Sequence, residues 1–358
     1  MDTSKKMAQK LDFTSPVHQQ INRLLSIIDT FKGSWQVLER TQKGYLKELR
    51  KIATIESTGS STRIEGATLT DAEVEKLLRS VKISKLEKRE EQEVVGYYEA
   101  LEIILEHYRD IPLTESYLHQ LHGMLLKHSH KDRSHKGRYK GLSNRVVANY
   151  PDGTQRTIFR TTEPHLTASE MEALLLWTNE RLGAQDLHPL LIVSAFVYEF
   201  LSIHPYQDGN GRLSRLLTTL LLMKLDYGFV QYVSFEHVIE SKKDAYYRAL
   251  MSGQKHRYKR EERIDKWVIF FLESLIELTQ RLSVKYDTYS TLKVALNERQ
   301  RRIVSFVKAK EPVQVGEIEA SLEDYSRNTI KKDLSYLVQE GILLKTGAGR
   351  GVRYYLKK

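Results

Sequence analysis

Two apolar runs, LLIVSAFVYEFLSI (190–203) and LLTTLLLMKL (216–225), stand on either side of one polar stretch, HPYQDGNGRLSR (204–215). Both are shorter than the roughly 20 residues a membrane span needs, and the first carries Glu199. A helix that is apolar around most of its circumference must be covered by protein, so both runs predict buried core helices. The polar stretch then lies where two core helices meet, inside a larger helical body.

With 358 residues the chain is long enough for two or three domains. It has no cysteine, which excludes disulfides, thiolate zinc sites and a thiol nucleophile and suits a reducing compartment. The start, MDTSKKMAQKLDF, has no apolar signal region, so the expectation is a cytoplasmic chain with no membrane contact. Net charge is +10, and residues 296–358 hold 13 Lys and Arg against 8 Asp and Glu. That excess favours anionic partners and suggests that the C-terminal end has a partner of its own.

The periodicity predicts a mainly α chain in three regions, 1–110, 111–290 and 291–358. Apolar positions at helical spacing, such as Leu24, Leu25, Ile28 and Phe31, fill residues 15–130. Within them IESTGSSTRIEGATLTDAE clusters Ser and Thr around Gly59, which predicts a short helix between turns at about 57–66, and Thr70 with Glu73 makes a capping box. Residues 137–164 predict a β-hairpin, with Pro151, Asp152 and Gly153 as its turn. Helical patterning resumes over 167–177, 188–203, 212–225 and 241–291. From Leu296 three helices and a glycine-tipped hairpin describe an α+β winged helix, with Ser326 as N-cap of its third helix and Gly341 ending it.

In the polar stretch, Gly209, Asn210 and Gly211 can turn their N–H groups inward at a helix start, a phosphate nest. Arg212 and Arg215, three apart on the new helix, supply two forked cations for a polyphosphate. Asp208 offers the single hard oxygen that suits a Mg²⁺ shared with phosphates, and His204 is the one side chain there that titrates near neutrality, hence the candidate general base. Spacing alone supports metal-assisted phosphoryl chemistry.

The stretch resembles the motif of the Fic (filamentation induced by cAMP) domain family, HPFxxGNGRxxR, with Tyr206 in place of Phe, and the resemblance covers about 15–280. It implies a helical core with a hairpin flap, and transfer of AMP from ATP to a Tyr, Thr or Ser hydroxyl of a protein, the chain itself included. It further implies that His204 deprotonates that hydroxyl, that Asp208 holds Mg²⁺, and that the nest with Asn210 stabilises the α-phosphate. The resemblance also implies that Arg212 and Arg215 orient the outer phosphates, that Leu213 and Ser214 between them belong to the nucleotide-binding stretch, and that Tyr246 and Tyr247 fall where the family lines its adenine pocket. The related Doc toxins lose the second glycine and the final arginine, so Gly211 and Arg215 favour AMP transfer over phosphorylation.

The hairpin edge at Val146, Val147 and Ala148 is expected to pair with an extended segment of the target. STRIEG (61–66) resembles the family's inhibitory pattern, in which Ser61 precedes Glu65 by four, and Glu65 is expected to pair with Arg215 where the γ-phosphate would bind. In the winged helix, Ser326, Arg327, Asn328, Lys331 and Lys332 are candidates for a DNA major groove, with Arg350 and Arg353 near phosphates. The rival reading is a DNA-binding regulator whose core only senses nucleotide, although a pure sensor has no need of His204. The sequence leaves a homodimer open.

Overall fold

The computed structural model describes residues 3–41, 43–80, 86–149, 155–293, 296–347 and 349–356. The chain divides into two units, Met1–Ser283 and Val284–Lys358.

The first unit opens with α1 (Thr3–Lys10), α2 (Ser15–Thr41), α3 (Lys43–Ile64), α4 (Asp71–Ser80), α5 (Arg89–His107) and α6 (Glu115–Leu125). A hairpin follows, β1 (Arg145–Asn149) and β2 (Gln155–Arg160), then α7 (Pro164–Ala184), α8 (Pro189–Ile203) and α9 (Asn210–Lys224). A 3-10 turn (Gly228–Tyr232), α10 (Phe235–Ser241) and α11 (Lys243–Gln254) follow, and α12 (Asp265–Lys293) begins in this unit and runs past its end at Ser283. Residues 1–110 and the central helices share this unit, because α3 packs on α5, α9 and α10 and α5 packs on α6 and α9.

The apolar runs are the buried helices α8 and α9. Helix α8 starts at Pro189, with His188 as N-cap accepting from Leu190 N–H at 3.2 Å. Its charged member is satisfied in the core: Glu199 pairs with Lys10 and, at 3.0 Å, with Arg257 Nη1. Burial opposes ionisation of Glu199, but those two cations hold its carboxyl down at about 2. Phe196 and Phe200, both fully buried in this helix, each contribute about 1.5–3 kcal/mol from area removed from water.

Two expectations are corrected. Residues 57–64 are no separate short helix but the end of the continuous α3, in which Gly59 is internal, and Glu65 and Gly66 form the turn that follows. Thr54, Thr58 and Thr62 donate their hydroxyls to carbonyls four residues back, so a cluster that resembles a loop is satisfied inside a helix. Gly59 stands there because a Cβ would lie 2.6 Å from both Arg63 Nη1 and Asp71 Oδ1. The helix expected over 241–291 is broken between α11 and α12 by a polar turn that includes Tyr258 at φ +67°.

In the second unit α13 (Glu298–Lys310), α14 (Val315–Ser321) and α15 (Arg327–Gln339) precede an antiparallel pair, β3 (Leu343–Thr346) and β4 (Arg353–Leu356). Val313 bridges to Tyr354, adding a short third rung. Ile303, Val307, Ile318, Ile330, Leu334 and Leu337 form the core with Leu343 and Tyr354. Ser326 caps α15 by accepting from Thr329 N–H at 3.3 Å, and Gly341 follows it at φ +71°. This is a winged helix.

Candidate active site

The site is built where α8 ends and α9 begins. His204 is the C-cap of α8 at φ +53°, its N–H bonded to Phe200 O at 2.9 Å, so the imidazole turns out of the helix axis. Its Nδ1 lies 3.3 Å from Leu201 O, and a carbonyl can only accept, so Nδ1 carries the proton. Nε2 is left with a lone pair. Burial, then the charge of Lys140, depress the imidazole to about 4, with Glu65 and Asp208 opposing, so it is neutral at physiological pH.

Asn210 closes the loop: its Oδ1 accepts from Tyr206 N–H at 2.8 Å and its Nδ2 donates to Tyr206 O at 2.7 Å. Its side chain is thus committed to the backbone, and only its N–H can serve an anion. Gly209, at φ +78°, is the N-cap of α9. The aromatic at Tyr206 is fully buried and stacks on His122 at 3.8 Å between ring centroids. Its extra hydroxyl, the departure from the expected Phe, is bonded to His119 Nδ1 at 2.9 Å.

His122 is a residue that sequence reasoning missed. Its Nε2–H donates to Asp208 O at 3.0 Å and its Nδ1 accepts from Gly137 N–H at 2.8 Å. Burial lowers it to about 4, so it is a neutral strut under the loop. Nothing about its position within a helix marks it in the sequence.

Asp208 accepts from Gly209 N–H at 2.6 Å and pairs with Arg89 Nη2 at 2.8 Å and Arg212 Nη2 at 3.3 Å. Burial works against its charge, but Arg212, the Gly209 N–H and Arg89 hold its carboxyl below the usual carboxylate range. Arg212 is buried, with Nη1 3.5 Å from Glu93 Oε1. Its Nε and Nη1 make no hydrogen bond among the described residues, although Nη1 stands beside the Glu93 carboxylate.

Glu65 reaches the same helix start. Its Oε1 accepts from Arg215 Nη2 at 2.8 Å, while Arg215 Nε donates to Ser61 Oγ and Nη2 to Ser61 O, both at 2.8 Å. A Cβ on Gly211 would lie 2.2 Å from Glu65 Oε1, so the carboxylate sits in space that only glycine leaves open. Gly66, next in the chain, has φ +107°, which explains the glycine after the glutamate. Arg63 pins this segment to Glu240 at 2.7 Å and Asp71 at 2.9 Å.

Leu213 and Ser214 are buried in α9, and Ser214 Oγ donates to Gly211 O at 2.7 Å, so neither side chain is directed at an anion. Tyr246 and Tyr247 are buried with ring centroids 5.2 Å apart, and Tyr246 also packs edge-on against Trp267 at 5.6 Å. Tyr246 is within the field of Arg215 and Glu65, though burial is what raises its hydroxyl pKa most.

The hairpin pairs Val146 with Phe159, Val147 with Thr157 and Ala148 with Arg156, with a register shift between Val146 and Val147. It is two-stranded, so the second edge of β1 has no strand partner among the described residues. Val146 itself is buried. The turn expected at Pro151, Asp152 and Gly153 lies outside the described residues, as do the side chains of Val147, Ala148 and Arg350. Arg327, Asn328, Lys331, Lys332 and Arg353 are exposed, and Arg327 pairs with Glu319 at 3.3 Å.

Among the described residues no three His, Cys, Asp or Glu converge on a metal position, and no helix is long and apolar enough to cross a membrane. The Asp208 carboxyl, held ionised, is a hard oxygen donor that fits a Mg²⁺ held jointly with phosphates.

The Fic/DOC family matches residues 112–222, and a DeoR-like helix-turn-helix domain matches 299–352. The protein adenylyltransferase Fic of Drosophila melanogaster is 26% identical over 226 residues, 63% of this chain and 43% of that protein. The chain thus spans less than half the length of the curated relatives it matches. A Fic family protein from Desulfovibrio desulfuricans superposes with a TM-score of 0.65 at 23% identity, covering 97% of each chain. A Fic domain-containing signalling protein from Bacteroides thetaiotaomicron follows at 0.56 and 22%, covering 74% of this chain and 95% of its own. These two likenesses extend to the fold.

Proposed function

The chain carries a Fic/DOC-family domain at 112–222, and from it we propose that this protein is a Mg²⁺-dependent protein adenylyltransferase held inactive by Glu65. One observation carries the reading. A neutral imidazole with a free Nε2 stands at the head of α9, whose first turn already cradles an anion, the Glu65 carboxylate, between Gly211 and Arg215.

In this reading ATP lays its phosphates over the start of α9. The backbone N–H groups of Asn210 and Gly211 face the α-phosphate, that of Gly209 being taken by Asp208, and Arg212 and Arg215 hold the outer phosphates. His204 Nε2 accepts the proton of a protein hydroxyl as its oxygen bonds to the α-phosphorus, and the bond to the bridging oxygen breaks. Pyrophosphate leaves, and AMP remains on the hydroxyl. Asp208 would hold the Mg²⁺, which when bound neutralises phosphate charge. With Glu65 on Arg215, the γ-phosphate loses its cation and meets a like charge, so ATP binds weakly or out of line.

The test is incubation of wild type, Glu65→Gly and Glu65→Gly/His204→Ala with Mg²⁺ and α-labelled ATP, read by label on protein and intact mass. A gain of one AMP in Glu65→Gly that vanishes in the double variant supports transferase, base and inhibitor together. ATP binding without label in any variant refutes the transferase and favours a nucleotide-sensing regulator. A second activity has its own support: exposed Arg327, Asn328, Lys331 and Lys332 on α15 suit duplex DNA.

A further inference from the structure

Lys140 belongs to none of the motifs, yet it is 3% exposed and all its donors are used. Its ammonium donates to Asn144 Oδ1, Thr161 Oγ1 and Ile203 O, each at 2.9 Å, and its backbone N–H to Pro205 O at 2.8 Å. Asn144 directly precedes β1 and Thr161 directly follows β2, while Ile203 and Pro205 are the two neighbours of His204. Asn144 completes the tie by donating Nδ2 to Tyr206 O at 2.8 Å. All three acceptors of the ammonium are uncharged. Burying a cation without a bonded carboxylate is costly, so a neutral residue would be the cheaper way to fill this space.

We infer that Lys140 is a positioning residue for His204, its ammonium joining both ends of the hairpin to the Ile203 carbonyl before the imidazole while its backbone N–H holds the Pro205 carbonyl after it, so that target edge and base move as one body. The inference rests on the reading of His204 as general base. Its charge works in the same direction as its geometry. Burial is the main cause of the low imidazole pKa and Lys140 adds to it, against Glu65 and Asp208, which keeps the base free of a proton. Lys140 is itself lowered to about 8 by burial, opposed by Glu163 and Glu170 and assisted by Arg257.

The experiment compares Lys140→Met, Lys140→Arg and Thr161→Val in the Glu65→Gly chain. It records the His204 tautomer by nitrogen NMR at neutral pH, kcat and KM for ATP in self-modification, and the melting temperature. The expected result for Lys140→Met is loss of the single Nδ1–H form and a drop in kcat of about tenfold or more, with KM for ATP unchanged. Lys140→Arg, which keeps the cation, should recover part of both. An intact Nδ1–H form with undiminished kcat in Lys140→Met overturns the inference, as does a loss that Lys140→Arg does not relieve. If Lys140→Met fails to fold, Thr161→Val decides, since it removes one acceptor and no charge: an unchanged tautomer and kcat there sink the idea. Should the transferase reading itself fail, no variant labels protein, and the tautomer still reports on Lys140.

Discussion

Arg215 Nη2 donates to Glu65 Oε1 at 2.8 Å across 150 positions of sequence, and the guanidinium is almost wholly buried while the carboxylate is 34% exposed. The asymmetry matters: the arginine depends on an anion, whereas the glutamate can return to water at modest cost. Such a contact suits a removable plug. Holding all but about 1% of molecules closed needs only about 2.7 kcal/mol, within reach of one pair of this kind with local packing.

Glu65→Gly should therefore raise self-modification by one to two orders of magnitude, on the order of the population it frees. Ser61→Ala, which removes one of three bonds to Arg215, should raise it less. Label incorporation per minute distinguishes them; equal rates in wild type and Glu65→Gly, with ATP bound in both, would refute the plug.

Gly211→Ala separates displacement of Glu65 from activation. A Cβ would fall 2.2 Å from Glu65 Oε1, the mobile end of a side chain, so the chain should fold, aided by up to about 1 kcal/mol of helix propensity. The same methyl fills the anion seat. The expected outcome is a melting temperature near wild type and no gain in label; labelling at the Glu65→Gly rate would contradict a shared seat.

The acid limb of transfer should lie near pH 4, not near 6.5. His204 must be unprotonated to act, its pKa is about 4, and removing Glu65 lowers it further because that carboxylate raises it. In Glu65→Gly the rate should stay flat from pH 7 to 6 and fall only as pH drops toward 4. A midpoint near 6.5 in the pH–rate profile would show a solvated imidazole. His122 adds a stability effect of matching sign. Its folded value of about 4 lies below its ordinary 6.5, so its contribution is intact above 6.5 and lost as pH falls to 4, by up to about 3 kcal/mol. Denaturant titrations of wild type and His122→Asn at pH 7 and 4.5 would expose this slope, which should be shallower in the variant, where only His204 keeps its share.

Arg89 Nη2, 2.8 Å from Asp208 Oδ2, stands where a cation on that carboxylate would compete with it. Arg89→Ala should lower the Mg²⁺ concentration needed for half-maximal ATP binding severalfold, a shift of about 1 kcal/mol for a half-exposed pair. Calorimetry at fixed ATP and varied Mg²⁺ reads the shift; an unchanged or raised requirement would place the metal elsewhere.

The C-terminal unit should hold duplex DNA through α15. In the full chain, Lys331→Ala/Lys332→Ala should weaken binding and reduce the slope of log affinity against log salt by about 2, one per phosphate contact. No retention of wild type on DNA at low salt would assign the module to protein contacts.

The motif at 204–215 was legible because the phosphate nest, two forks, carboxylate and base proposed for it need fixed residue types at fixed spacing. Helices α8 and α9 were legible because an all-round apolar surface has only one place to go. The short helix expected at 57–66 was misread because Ser and Thr hydroxyls that favour turns can also bond backward within a helix, as Thr58 and Thr62 do. The Asn210 side chain is spent on Tyr206, which leaves the expected anion contact to its N–H, a division that spacing does not reveal.

By itself the sequence determined the local devices: two buried helices, the glycine turn between them, the winged helix, and the Ser61 to Glu65 spacing. Tertiary structure alone decided that Arg89 meets Asp208, that His122 supports the loop and that Lys140 joins the hairpin to His204, while the meeting of Glu65 with Arg215 was expected from the family resemblance and not from spacing. The physical reason is range. Spacing fixes what lies within a turn or two of helix, whereas a buried charge finds its partner through packing of segments far apart in the chain, and no local pattern encodes which segments those are.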